Sequence, residues 1–275
     1  MVNYVIKETS MKTFKRITIF ILCSYLIIGL IWISKDVIIH YTNTSALPIL
    51  GYHGVINDDD KKMYFKNYTY YMAESKFEEQ MAYLAKHDYH TLTMEEVEAY
   101  YHGNYTLPKK AVALTFDDGL LNFKTVVTPI LKKYNLQATC FVIGSKTTTK
   151  NNHNPAKHQY LRDSDLVNDE NVAYYSHSYN LHHKNKNTKK ITTLSTKEIN
   201  DDFNLNKDIV SNKYFAFPYG QSCNNALDVL KKQNVALAFG YNQNRNMKPS
   251  DNKYLLPRYL MFSEMPLDYF KWIIQ

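Results

Sequence analysis

The sequence predicts an α/β fold: a distorted (β/α) barrel of about seven units, a single domain behind an N-terminal transmembrane or signal segment. Three observations predict it. From residue 46 onward short apolar runs alternate with stretches of helical periodicity, the pattern of parallel strands joined by crossover helices. About seven such units fill roughly 230 residues, close to the size of a barrel. No internal repeat or linker interrupts the chain after residue 46. A doubly wound open sheet is the alternative fold.

The elements follow in order. Residues 46–52 (ALPILGY) read as a buried strand. Residues 75–87 carry Phe77, Met81 and Leu84 at helical spacing with charges opposite. Residues 89–92 form a short strand, and Thr93-x-x-Glu96 is a capping box opening a helix to about Tyr101. Residues 111–116 (AVALTF) are strand, Asp117-Asp118-Gly119 a turn, and 122–134 a helix. Strand 137–143 leads into a polar loop at 146–159, and strand 172–176 into a loop rich in histidine and lysine that reaches Lys190. Ser195-x-x-Glu198 caps a helix to about Ser211. Strand 214–217, helix 223–233, strands 235–239 and 254–260, and a short amphipathic helix complete the chain.

Composition sets outer bounds. The chain has 275 residues, 45% hydrophobic and 21% charged, which is globular rather than disordered. Three cysteines with no close pair exclude a disulfide scaffold and a cysteine-built zinc knuckle. Beyond residue 35 only Cys140 and Cys223 remain, so one bridge at most can form, and Cys140 reads as a small buried hydrophobe in its strand. Of the net charge of +7, Lys7, Lys12, Lys15 and Arg16 against Glu8 account for +3. The remaining +4 is a mild bias, and no basic helix or recognised motif accompanies it, so no nucleic-acid partner is expected.

Residues 17–34 (ITIFILCSYLIIGLIWIS) carry no charge and follow Lys12, Lys15 and Arg16. They are long enough for a membrane anchor and exceed a usual signal-peptide core. The expected organisation is a basic cytoplasmic flank at 1–16, an anchor or signal segment at 17–34, a linker at 35–45, and the domain at 46–275 outside the cytoplasm. The nearest small-residue cleavage site is Thr44-Ser45-Ala46, which is weak, so an uncleaved anchor is favoured over secretion. Met11 would itself make a conventional start.

Active sites in such folds gather where strands end. His53 follows the first strand, Asp117 and Asp118 follow 111–116, His177 and His182 follow 172–176, and Pro218-Tyr219-Gly220 follows 214–217. Two histidines and a carboxylate make a zinc-type ligand set with an open position for water. The aspartate of the pair that is not a ligand suits a general base, and a further histidine an acid for the leaving group. Each piece has a bland reading: Asp-Asp-Gly is an ordinary turn, and most loop histidines are merely solvated. His87, His90, His102, His153 and His158 have no strand-end position and read as surface residues, and 184–190 as a solvated loop able to meet an anionic polymer.

Thr115-Phe-Asp-Asp-Gly119 resembles the first signature of the polysaccharide deacetylase superfamily, carbohydrate esterase family 4, the NodB homology domain. The resemblance implies Asp117 as catalytic base and Asp118 as metal ligand. His177-Ser178 followed by His182 is similar to the second motif, with the metal histidines five positions apart against the commoner four. Phe215-Ala-Phe-Pro-Tyr219 resembles the third motif without its arginine, and implies the Tyr219 amide as oxyanion donor. No Leu-x-His follows near the C-terminus; Leu50-Gly-Tyr-His53 instead resembles the circularly permuted branch, in which the acid histidine comes first. Arg258 in Leu-Leu-Pro-Arg258-Tyr-Leu is the candidate replacement for the missing arginine, orienting Asp117. The wider histidine spacing and the missing arginine of the third motif resemble the branch that deacetylates poly-β-1,6-N-acetylglucosamine in biofilm matrices. The resemblance spans 46 to about 262. It implies a divalent cofactor (zinc, with cobalt, nickel or manganese as substitutes), an exopolysaccharide substrate, and the polysaccharide synthesis and export machinery as partner. Deacetylation of peptidoglycan or a β-1,4 chitin-like glycan is the nearest alternative. A catalytically silent surface glycan-binding protein is the alternative of another class.

Overall fold

The structure, a computed structural model, describes residue 18 and residues 22–26, 46–147, 154–241 and 244–275. The flank at 1–16, the linker at 35–45, His153 and all of the 17–34 segment except Thr18 and residues 22–26 lie outside the described residues. Those six are helical. Among the described residues no helix is long and apolar enough to cross a membrane. Ser45–Gln275 forms one compact unit.

That unit is a curled parallel sheet wrapped by helices. The strands of its main path are β1 (Ile49–Tyr52), β2 (Ala111–Phe116), β3 (Ala138–Val142), β4 (Val172–Ser176), β5 (Tyr214–Ala216), β6 (Leu237–Phe239) and β7 (Tyr259–Leu260), and off that path the predicted short strand, His90–Thr91, pairs in parallel with β2. The spatial order is β6-β5-β4-β3-β2-β1-β7, every pair parallel. A parallel bridge between Phe239 and Leu256 joins the chain entering β7 to β6, bringing the two edges of the sheet together. Such a curl follows from parallel strands buried on both faces and joined by helices.

Side-chain parity separates two layers of core. Ile49, Ala113, Phe141, Tyr175, Ala216, Phe239 and Leu256 form one cluster, drawn from successive strands in the inward register. Their sequence neighbours Leu50, Leu114, Cys140 and Tyr174 pack outward against helical residues such as Phe77, Met81 and Val127. The helix Glu74–Lys86 buries Phe77, Met81 and Leu84, as its spacing predicts. Both predicted capping boxes, Thr93/Glu96 and Ser195/Glu198, are formed. Cys140 is buried and free, and Cys223 is also free.

Differences from expectation are local. The helix predicted over 122–134 begins as a π-helical turn, Phe123–Val127, before the α-helix Thr128–Tyr134. Pro129 has no N–H to give the preceding turn, so the Thr128 N–H reaches back to the Phe123 carbonyl and the turn widens. The helix after Ser195 ends at Asn206 rather than near Ser211. There Asn206 turns inward and donates to Ser176 Oγ. The strand expected over 254–260 is Tyr259–Leu260 alone, with Leu256 bridged. A helix Asp58–Tyr64 and a parallel pair, Gly54–Ile56 with Tyr71–Ala73, were not expected. Within 184–190 lies a small hairpin pairing Lys184 with Lys189.

Phe77 stands edge-on to Tyr52 (5.5 Å) and Phe116 (5.8 Å), which stack on each other at 5.0 Å. This packing backs the strands that end in His53 and Asp117. Phe77→Ala is expected to destabilise the domain by about 3–5 kcal/mol in urea unfolding; a cost below about 1 kcal/mol would show that the layer is not supported there.

Candidate active site

The inward register of the strands continues past their ends and delivers chemistry into one cleft. Along β2 the inward series Ala111, Ala113, Thr115 is followed by Asp117; along β4, Tyr175 is followed by His177; before β7, Leu256 is followed by Arg258. Each polar residue therefore takes the place where the barrel core meets solvent. The cleft measures about 380 Å³, and His53, Asp117, Asp118, His177, His182 and Tyr219 all line it.

Asp117 forms its floor, with Arg258 bonded to it from beneath, and both are buried. The guanidinium forks onto the carboxylate through two bonds of 2.8 Å, Nη1 to Oδ1 and Nη2 to Oδ2. Nη1 also donates to Thr115 Oγ1 (3.0 Å) and Nε to the Gly240 carbonyl (3.3 Å). Thr115 Oγ1 in turn donates to the Leu50 carbonyl, leaving its lone pairs for Arg258. Aromatic rings cover the cation, Tyr241 at 4.1 Å and Phe141 at 5.6 Å. Gly51 makes room for Tyr241: a Cβ there would stand 2.3 Å from its hydroxyl oxygen. Burial pushes the Asp117 carboxyl up, but the charge of Arg258 and the fork itself prevail, holding it well below the usual carboxylate range.

Asp118 is one residue on and points elsewhere. Its backbone is left-handed (φ 77°), as are Ser178 (φ 70°) and Tyr219 (φ 58°), each just past a different strand of the barrel. Three non-glycine residues in this region at one rim mark a site where geometry prevails over backbone ease. Gly119 continues the turn at φ 69°, where a Cβ would lie 3.2 Å from the Val142 backbone. Asp118 Oδ1 is buried with no hydrogen-bond donor. It faces His182 Nε2 at 3.4 Å and His177 Nε2 at 3.6 Å. His177 Nδ1 donates to the Ala216 carbonyl (2.8 Å), so its free lone pair is on Nε2, aimed at Asp118. Burial, with Asp117 as neighbour, pushes Asp118 up to about 6, against the opposing charge of His53. Burial drives His177 down to about 3 and lowers His182 as well. Two neutral imidazoles and an unsatisfied carboxylate, their ligand atoms all within 4.8 Å of one another, suit a divalent metal ion in residue type and spacing.

His53 stands opposite, its ring 4.9 Å from Tyr70 and 6.0 Å from Tyr241, with a buried and unpartnered Nδ1. The Tyr219 ring packs on His182 at 4.1 Å. The donors of its 3₁₀ turn are Gly220 and Gln221; among the described residues no backbone bond uses the Tyr219 N–H.

All seven residues singled out in the sequence thus meet at one end of the barrel. Residues that sequence reading missed share the cleft: Tyr68, Tyr70, Gln221, Tyr241, Leu260, and Lys184 and Lys189 of the hairpin. Tyr241 was open to detection, because it extends the inward series Leu237, Phe239 by one step. Tyr68 and Tyr70 were not. They arrive on a loop tied by Lys61, whose Nζ donates to the Phe65 and Tyr68 carbonyls at 2.8 Å each. His158, read as a surface residue, is exposed but bonds the Tyr71 hydroxyl through Nδ1 (2.6 Å) behind that loop.

Residues 104–238 match the polysaccharide deacetylase family. The chain belongs to that family. The matched stretch holds the aspartate pair, both candidate metal histidines and Tyr219, and leaves His53 and Arg258 outside. The poly-β-1,6-N-acetyl-D-glucosamine N-deacetylase of Staphylococcus aureus (strain MSSA476) is 31% identical over 237 residues, 80% of each chain. The enzyme of the same name from Staphylococcus epidermidis is 27% identical over 240 residues, 82% of this chain and 81% of that one. Among solved structures, the Streptococcus pyogenes deacetylase PplD in complex with acetate superposes with a TM-score of 0.69 at 23% identity, over 84% of this chain and 98% of that one. IcaB from Ammonifex degensii gives 0.68 at 24%, over 84% and 98%. These superpositions establish the (β/α) barrel of this family as the fold.

Removing one partner of the floor pair strands a buried charge. Arg258→Met is expected to cost about 3–5 kcal/mol of stability in urea unfolding, and Arg258→Met with Asp117→Leu distinctly less. A double variant as unstable as the sum of the single changes would contradict the pairing.

Proposed function

We propose that the protein is a metal-dependent N-deacetylase of poly-β-1,6-N-acetyl-D-glucosamine, acting outside the cytoplasm and leaving a partly cationic exopolysaccharide that adheres in a biofilm. The observation that carries the reaction class is the division between two adjacent aspartates. One is clamped by Arg258, and the other is unpartnered before two neutral histidines. The choice of polymer is supported by what the Staphylococcus relatives are named for. A silent glycan-binding protein would need none of this division of labour.

In this reading Asp118, His177 and His182 hold the metal, zinc or in its place cobalt, nickel or manganese. When bound it supplies a Lewis acid for the N-acetyl carbonyl and lowers the pKa of a water. Asp117, ionised and held by Arg258, accepts the proton of the attacking water. The Tyr219 N–H donates to the oxyanion that develops on the former carbonyl oxygen. Protonated His53 gives its proton to the departing amine, a poor leaving group without it. The C–N bond breaks, a C–O bond has formed, and acetate and a glucosamine unit result. Tyr68 and Tyr70 offer aromatic faces to the sugar. Residues 17–34 serve as anchor or signal and 35–45 as a linker, with the polymer's synthesis and export machinery close by.

Acetate release from β-1,6-linked N-acetylglucosamine oligomers is expected to exceed that from β-1,4 oligomers or peptidoglycan. It should cease on chelation and return with zinc. His53→Gln should slow it by about 10²–10⁴-fold. Release confined to another glycan would overturn the substrate, and an undiminished His53→Gln rate the acid.

A further inference from the structure

The cleft carries two cations that the reaction above does not use. Lys184 and Lys189 face each other as register partners of the hairpin and line the cleft beside His182 and Tyr219. Lys184 Nζ lies 4.5 Å from the centre of the Tyr219 ring, which itself packs on His182. The hairpin is braced from behind, where Lys190 Nζ and the Lys190 N–H reach the Asn180 and His183 carbonyls. Among the described residues no carboxylate pairs with Lys184 or Lys189, and no acidic residue lines the cleft besides Asp117 and Asp118. Asp117 is already matched by Arg258. The rim of the cleft is therefore cationic.

A neutral N-acetylglucosamine polymer offers no anion to attract these lysines. What they do meet is the product. Each turnover replaces a neutral amide with an amine that takes up a proton near neutral pH, so charge is what distinguishes a processed unit from an unprocessed one. Resting on the reading of this site as a deacetylase, we infer that the Lys184–Lys189 hairpin is a charge filter. It admits a sugar whose neighbours are still acetylated and disfavours one beside a glucosamine already made. The result is sparse deacetylation along the polymer, with prompt release of the product stretch. Two ammonium groups within about 10 Å of a third at a solvated rim disfavour it roughly threefold to tenfold at low salt.

The test uses the full chain in detergent, supplied with zinc, at low salt and at a pH below the amine's own value. Acetate release is compared between a fully acetylated β-1,6 oligomer and the same oligomer carrying one internal glucosamine. The wild type should favour the first by roughly threefold to tenfold, and the preference should shrink at high salt. In Lys184→Gln/Lys189→Gln the ratio of the two rates should approach one, and in Lys184→Glu/Lys189→Glu it should invert. As a ratio it is insensitive to a general loss of activity. As a readout apart from turnover, a fully deacetylated oligomer should bind the glutamine variant more tightly than the wild type in calorimetry. Equal ratios in wild type and both variants would overturn the filter while leaving the deacetylase reading intact. No acetate from the fully acetylated oligomer would overturn the deacetylase reading, and the filter with it.

Discussion

Arg258 and Asp117, forked together at the axis of the barrel, are the constraint on which the remaining site geometry depends. Neither could be buried alone, because an unpaired charge in that environment costs several kcal/mol. Together they satisfy one another, and Thr115, the Gly240 carbonyl and the Tyr241 ring take up what is left. A well-packed apolar pair could fill the same volume at no loss of stability. What an apolar pair could not do is hold a carboxylate ionised and immobile at the floor of the cleft. The pair ties β2 to the chain entering β7, two strands that do not adjoin, with β1 between them.

The same strand end separates two identical side chains. Asp117 keeps the inward register of β2 and meets Arg258. Asp118, turned over by a left-handed backbone, meets the histidines. Burial acts on both carboxylates, and only their neighbours differ, so one is drawn far down and the other pushed up to about 6. Adjacent residues with opposed needs are a direct outcome of the two-residue period of a strand broken by one unusual turn. Gly119, where a Cβ would crowd Val142, makes that turn sterically feasible.

Much of this was legible in the residues themselves, for identifiable reasons. The strands of the barrel are apolar runs bounded by turn residues, and the helix faces and capping boxes obey local rules, so their positions followed from pattern. The grouping of Asp118, His177 and His182 was legible because strand ends collect chemistry and because the Asp-Asp-Gly and His-Ser segments carry recognisable motifs. The pairing of Arg258 with Asp117 was only suggested, since 141 positions separate them and no local rule links them. The aromatic wall of Tyr68 and Tyr70 was invisible. It depends on a lysine tying carbonyls across a loop, a tertiary arrangement that apolar periodicity does not report. The lysine hairpin read as a solvated loop, which its exposure justifies, while its placement beside Tyr219 depends on the closing of the barrel.

The central claim is that the two aspartates have separate tasks, one holding the metal and one moving the proton. The most direct measurement is the metal content of purified Asp117→Asn and Asp118→Asn proteins, determined alongside acetate release. Asp117→Asn should retain metal near the wild-type level with its turnover largely lost, and Asp118→Asn should lose both. Asp118→Asn with full metal content, or metal-loaded Asp117→Asn with undiminished turnover, would contradict the assignment.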